Sequence, residues 1–345
     1  MAFVFADSFD HYSSVQIGWK WDTVTGTMTS AIVSTVGRRS TQAFTASATG
    51  AKTLQKTVCN ASCYVVGFAY NPEDHATIER GILQFRDGAT VHLELAISNG
   101  ILAIRRGAGG TLLSSYATTL DTGTFHYIEM KAEISNSISA GGVEVKINGA
   151  SVMTLAAGAD SQNAGTAQIN GILIGTTGNN GPNNWHFDDL YIIDTLGNEL
   201  SNYLGDVRVD ALIISAEGTV ASWSPSSAGA TMLSMIASAF PDSGTTYMFA
   251  SAASDTHRFT FSTLPSANGS IFGVQLNLAV AKSDTTSTMQ VAGLFFSGSV
   301  SGIGSTTTIG NTSYTYVTMA TSADASGASW SSNTVNKTQF GIKII

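Results

Sequence analysis

Asp188 and Asp189, adjacent in the run WHFDDLYI, are the residues of this chain that look most like chemistry. Glycoside hydrolysis needs two carboxyl groups on opposite sides of a scissile bond, about 5–9 Å apart. Neighbouring residues of a regular strand point to opposite faces of its sheet, so this pair is not expected to act together. One of the two would instead suit a structural Ca²⁺ site shared with Asp7 or Asp10, because Ca²⁺ takes oxygen ligands. The plainer reading is a hydrogen-bonded Asp at a strand end. Trp19 and Trp21, in GWKWD, share a face if that segment is a strand. Two in-line indoles make a stacking platform for sugar rings, and they serve equally well as core.

The remaining reactive types form no set. Of the six histidines, none opens an HExxH or completes a spaced metal group. His92, His126 and His186 fall in alternating segments, and a polar outer face accounts for His92 and His126. Cys59 and Cys63, in CNASC, are too few for a zinc site. A turn at Ala61-Ser62 would permit a small disulfide; buried free thiols are the other reading. There is no GxSxG elbow, no P-loop, and no GxGxxG after a strand. The GAGG of residues 107–110 lies between strand segments with no helix behind it, and reads as a loop. SADASGASW, at 322–330, differs from the sialidase Asp-box by one extra residue between Asp324 and Gly327. It occurs once and reads as a turn before a buried Trp330.

The elements that carry these residues read as strands. In TVHLELAI, Val91, Leu93, Leu95 and Ile97 share a face opposite His92 and Glu94. Asn99-Gly100 follows, a two-residue hairpin signal whose register pairs Ile97 with Leu102 and Leu95 with Ile104. Asn148-Gly149 repeats the pattern and puts Val152 opposite Val145, while Asp87-Gly88 gives a third turn. Residues 80–155 are therefore expected to be an antiparallel meander of five or six strands, with one face buried. Further strands are expected at 3–5, 17–24, 29–35, 41–46, 63–70, 168–176 and 185–194. In the Ser/Thr-rich second half they are expected at 207–215, 245–251, 256–262, 270–282, 288–297, 314–320 and 337–345, with one short helix at 230–238. The expected fold is all-β with little helix: two β-sandwich (jelly-roll-like) domains in tandem, residues 1–204 and 205–345.

Composition limits the function classes. Only 12% of residues are charged, yet 43% are hydrophobic, which suits many short strands and excludes a disordered chain. The net charge of −8 disfavours nucleic acid, whose phosphates need clustered cations. Arg38-Arg39 and Arg105-Arg106 are the only basic doublets, and adjacent strand positions diverge. No apolar run approaches the roughly 18 residues that span a membrane, so no membrane insertion is expected. MAFVFADSFDHY lacks the basic start of a secretion signal, so synthesis in a cytoplasm is expected.

FADSFDHY, FHYIEMKAEI, GGVEVKINGASV and the closing WHFDDLYIIDTLG resemble a concanavalin A-like (laminin-G-like) jelly roll. NYLGDVRV followed by TTYMFAS, RFTFSTLP, IFGVQLNLAVAK and ASWSSNTVNKTQFGIKI resembles the virion proteins of tailed bacteriophages, over nearly the whole chain. The resemblance implies a non-enzymatic structural protein of the virion, assembled in the host cytoplasm, with other virion proteins and copies of itself as partners. It assigns no catalytic or cofactor residue. The alternative is an adhesin that recognises host-surface glycan, with Trp19 and Trp21 as stacking residues. A third reading is a depolymerase, which needs two carboxylates converging in a cleft, an arrangement that only the fold can reveal.

Overall fold

Alternation of apolar and polar residues, punctuated by Gly and Asn turns, gives strands along most of the chain. The computed structural model describes residues 3–46, 50–137, 140–155, 160–178, 184–196, 200–236, 241–242, 244–264, 269–298, 300–310 and 312–345. The chain divides into two units, Met1–Val209 and Asp210–Ile345. The first runs β1 (Phe3–Asp7), α1 (Ile17–Lys20), β2 (Thr23–Thr25), β3 (Ile32–Ser34), β4 (Gln42–Ala46), β5 (Lys52–Ala61) and β6 (Cys63–Pro72). It continues with β7 (Arg80–Asp87), β8 (Thr90–Ser98), β9 (Ile101–Arg106), β10 (Thr111–Ser115), β11 (His126–Glu133), β12 (Gly142–Ile147), β13 (Ala150–Leu155), β14 (Ile169–Thr176) and β15 (Trp185–Asp194).

These strands make two antiparallel sheets. Sheet I runs β13-β12-β11-β6-β15-β4-β3, with β1 also beside β15, and sheet II runs β10-β9-β8-β7-β14-β5-β2. Their inner faces meet in one core, with Phe68, Met130 and Phe187 from sheet I against Leu54, Phe85 and Leu95 from sheet II. Each large side chain buried this way contributes about 1.5–3 kcal/mol. The result is a jelly-roll-like sandwich.

The Asn99-Gly100 hairpin has the expected register: Ile97 faces Leu102 and Leu95 faces Ile104, with both turn residues at positive φ. At Asn148-Gly149 the register slips by one, so Met153 rather than Val152 faces Val145. That bulge turns Met153 into the core. The third turn is Gly88-Ala89, because Asp87 pairs with Thr90. Residues 80–155 do not form one meander. β7 to β10 lie in sheet II and β11 to β13 in sheet I. Alternation sets each strand's face but not the sheet it joins. The expected strand at 17–24 is also corrected: Ile17–Lys20 is a single helical turn, and β5 is a strand that no pattern announced.

The second unit contains β16 (Ile214–Ala221), β17 (Ser224–Pro225), α2 (Met232–Ile236), β18 (Met248–Phe249), β19 (Thr256–Phe261) and β20 (Val274–Val280). It ends with β21 (Met289–Ser297), β22 (Val300–Ile309), β23 (Thr315–Thr321), α3 (Ser332–Lys337) and β24 (Gln339–Ile344). Sheet III runs β16-β19-β24-β21-β22, while β20 pairs with β23 and β17 with β18. Leu276 and Met319 of the β20-β23 pair pack on Phe295 and Phe340 of sheet III, so this unit too has two layers. α3 is fixed by a capping box in which Ser331 and Thr334 exchange side-chain and backbone hydrogen bonds. The expected strand at 207–215 begins only at Ile214, and that at 245–251 contracts to β18. Residues 237–238 of the expected helix lie outside the described residues. Among the described residues, no helix is long and apolar enough to cross a membrane.

Candidate functional site

Trp19 and Trp21 do not share a strand face. Trp19 lies in α1, half-buried, and Trp21 caps that turn in the core, 2% exposed. The Trp21 Nε1 donates to Asp7 Oδ2 (3.0 Å) and to the Tyr12 hydroxyl (3.2 Å), and its ring stacks on Phe9. The same turn carries Lys20 inward. Its Nζ meets Asp7 Oδ1 at 3.0 Å, donates to the Ala6 carbonyl at 3.2 Å, and lies 3.0 Å from His11 Nε2. Burial raises the Asp7 carboxyl, but Lys20, His11 and hydrogen bonds from Tyr12 and Phe9 outweigh it and hold it low. Burial lowers the Lys20 ammonium to about 8. Asp7 is thus committed to an internal ion pair.

Asp188 and Asp189 are brought together after all. The β15–β6 pairing slips between Asp188 and Tyr191, and Asp189 takes a positive φ of 47°. This bulge breaks the alternation on which the opposite-face expectation rested. Both carboxylates are buried and both meet the 38–39 segment. The Arg38 backbone N–H donates to Asp188 Oδ2 (2.8 Å), Arg38 Nη1 reaches Asp189 Oδ2 (3.4 Å), and Arg39 Nη1 reaches the same oxygen (2.7 Å). Burial first, then the Asp189 charge, raises Asp188 to about 8. Burial likewise raises Asp10 to about 6.

This cluster anchors a strap, Tyr203–Val209, across the outer face of sheet I. The Val209 N–H donates to Asp189 Oδ1 (2.8 Å), Arg38 Nη1 donates to the Val207 carbonyl (3.2 Å), and Arg38 pairs with Asp206. Further along, the Leu204 N–H donates to the Tyr191 hydroxyl (3.2 Å) and the Gly205 N–H to Glu129 Oε1 (2.8 Å). Tyr191 in turn donates to Glu129 Oε1 (2.5 Å). Gly67 makes room for this: a Cβ there would stand 2.2 Å from the Tyr191 ring. Residues 197–199 of the expected joint lie outside the described residues.

The histidines are not on a wet face. His92 is 0% exposed, and His126 and His186 are also buried. His186 pairs with Glu73 (2.8 Å) and contacts Thr45 Oγ1 (2.9 Å); His126 faces the Asp121 carbonyl (3.0 Å). Cys59 is exposed and Cys63 buried, and both are free thiols. Among the described residues, no group of three or more His, Cys, Asp or Glu is arranged to hold a metal.

The outer face of sheet II carries the arrangement that the sequence reading missed. Gln55, Leu173, Gln84, Glu94 and Arg105 are successive cross-strand partners on β5, β14, β7, β8 and β9. Partners across a ladder share a face, so the four polar side chains form one row. The neighbouring row holds Thr57, Gly171 and Arg86. Gln84 Nε2 donates to Glu94 Oε2 (2.5 Å), and Arg86 Nη1 donates to Gln55 Oε1 (2.7 Å). The Gly109 N–H reaches Glu94 Oε1 (2.9 Å), and Arg105 Nη2 reaches Glu79 Oε2 (2.7 Å). Gln84 is 4% exposed and Glu94 3%, so the expectation of a solvated Glu94 is corrected. Gln55 and Arg86 remain half-exposed, and the buried Arg86 Nε has no partner among the described residues. The signal in the sequence was the alternation in GILQFRD, whose outward positions are Gln84 and Arg86. What it lacked was the pairing that sets Gln55 beside them.

No protein-family model matches the chain, and no curated protein matches it. Solved structures do resemble it. Alginate lyase Aly36B matches with TM-score 0.41 and 12% identity over 55% of this chain and 96% of its own. The binding domain of Paraclostridial Mosquitocidal Protein 1 matches with TM-score 0.37 and 13% identity, over 48% of this chain and 42% of its own. The binding domain of Botulinum Neurotoxin DC, in complex with SialylT, matches with TM-score 0.33 and 12% identity, over 44% and 39%. The likeness is one of all-β, jelly-roll-like architecture.

Proposed function

We propose that the first unit is a non-catalytic glycan-binding module that takes a polysaccharide along the outer face of sheet II. The observation that carries this reading is the half-exposed set Gln55, Arg86 and Arg105, positioned by the buried Gln84–Glu94 pair beneath it, with the Arg86 Nε left without a partner among the described residues. Amide and guanidinium groups present planar donors and acceptors that match paired sugar hydroxyls and carboxylates. On the outer face of sheet I, the strap covers Tyr191 and Glu129. The buried Asp188-Asp189 pair is held by Arg38, Arg39 and backbone N–H groups, so these two carboxylates do not flank a cleft as hydrolysis requires. The resemblance of NYLGDVRV and the C-terminal runs RFTFSTLP and IFGVQLNLAVAK supports placing this module on a tailed-phage particle, with host-surface polysaccharide as the glycan; recovery of the chain from purified particles tests that placement.

The binding test is titration of the full chain against neutral and acidic polysaccharides, alginate among them, with a reducing-end assay alongside. Retention without products is expected. Arg86→Ala loses a charged hydrogen bond of about 1.5–3 kcal/mol and weakens binding by roughly tenfold or more. Failure of every polysaccharide to bind, an unaffected Arg86→Ala variant, or release of reducing ends would each overturn the reading.

A further inference from the structure

The free edge of sheet III is β22, which among the described residues pairs only with β21. It is ten residues long, and its sequence VSGIGSTTTI contains neither a charge nor a proline. The chain carries no charged residue at all from Thr285 to Ala323, which takes in β21, β22 and β23. Exposed edges normally carry Lys, Pro, bulges or few residues, because unpaired N–H and C=O groups template pairing with another chain. The opposite edge of the same sheet follows that rule: β16 holds Glu217 and breaks register twice. β22 breaks register once, opposite Ala292–Leu294, and runs straight on either side. Its Ile303, beside Leu294, is 54% exposed.

We infer that β22 pairs antiparallel with β22 of a second copy, about a two-fold axis near Ile303, joining two copies of sheet III edge to edge. Charge selects the occupant. The chain carries −8, so two copies repel wherever their charged faces meet, and the charge-free β21–β23 region is where they approach without that cost. A charged partner strand would find no countercharge along β22. An isologous contact of this kind closes on itself and gives a dimer rather than a fibre.

Sedimentation of the full chain at micromolar concentration tests this. The wild type is expected as a dimer. Ile303→Lys, which sets two like charges together at the axis, is expected as a monomer with an unchanged circular dichroism spectrum. As a check independent of that variant's folding, Ile303→Cys in a Cys59→Ser background should cross-link to a covalent dimer on mild oxidation. Ile213→Cys, an equally exposed position on the far side of the sheet order, should not. A wild type that stays monomeric overturns the inference, as does an oligomer that neither responds to Ile303→Lys nor cross-links through position 303.

Discussion

Asp188 keeps its proton far above the ordinary carboxylate range because burial and the neighbouring Asp189 charge both oppose ionisation. A folded-state pKa raised from 3.8 to about 8, with Asp10 raised to about 6, means that the native state binds more protons than the unfolded chain between these values. Their contribution to stability is therefore full below 3.8 and is lost as pH rises through about 6 and then about 8. Asp7 has the opposite sign: its pKa is depressed, so its contribution is present above 3.8 and is lost in acid. Thermal unfolding followed across the window from about 6 to about 8 should show a falling midpoint, and Asp188→Asn should flatten that fall. A midpoint indifferent to pH, or an unchanged slope in the variant, rejects the assignment.

At the scale of elements, the strap explains why the Tyr203–Val209 segment belongs with sheet I. Three backbone N–H groups, of Leu204, Gly205 and Val209, end on Tyr191, Glu129 and Asp189. Removing them leaves two buried carboxylates under-bonded, at about 1–3 kcal/mol for each orphaned group. A chain ending at Val209 should therefore be more stable to urea than one ending at Leu196 by roughly that amount per group. Equal midpoints would show that the strap merely lies on the surface. The Asn99-Gly100 turn could be read in advance because local backbone chemistry fixes it. The bulges at Val152 and Asp189 could not, since each answers to what packs on the far side of its strand.

At the scale of the whole molecule, the glycan and dimer proposals make a joint prediction. A dimer carries two copies of sheet II, and a repeating polymer that engages both binds with avidity whereas a short oligosaccharide does not. Ile303→Lys should leave oligosaccharide affinity unchanged while weakening apparent affinity for the polymer by about 100-fold. Parallel titrations with the two ligand lengths measure this. A variant that loses both affinities equally would show that the substitution acts on binding itself and not through avidity, and would reject the joint prediction.

Much of the architecture is written in the order of residues. Period-two alternation and Asn-Gly turns specify strands, faces and the β8–β9 register, because each depends on neighbours a few positions away. Strands with one apolar face each, in both halves of the chain, already call for an all-β, two-layer solution. Three features were settled only in the tertiary structure. β7–β10 and β11–β13 joined different sheets, Trp21 was drawn into the core by Asp7 and Tyr12, and Gln55 came beside Gln84 and Arg86 from a strand about thirty residues away. β22 was hidden for a related reason. A strand of Gly, Ser and Thr has no apolar stripe to announce it, and it is held by its ladder with β21 rather than by its own pattern. Sequence sets which face of a strand is apolar, but long-range pairing decides which polar residues share the opposite face, and so where a ligand site forms.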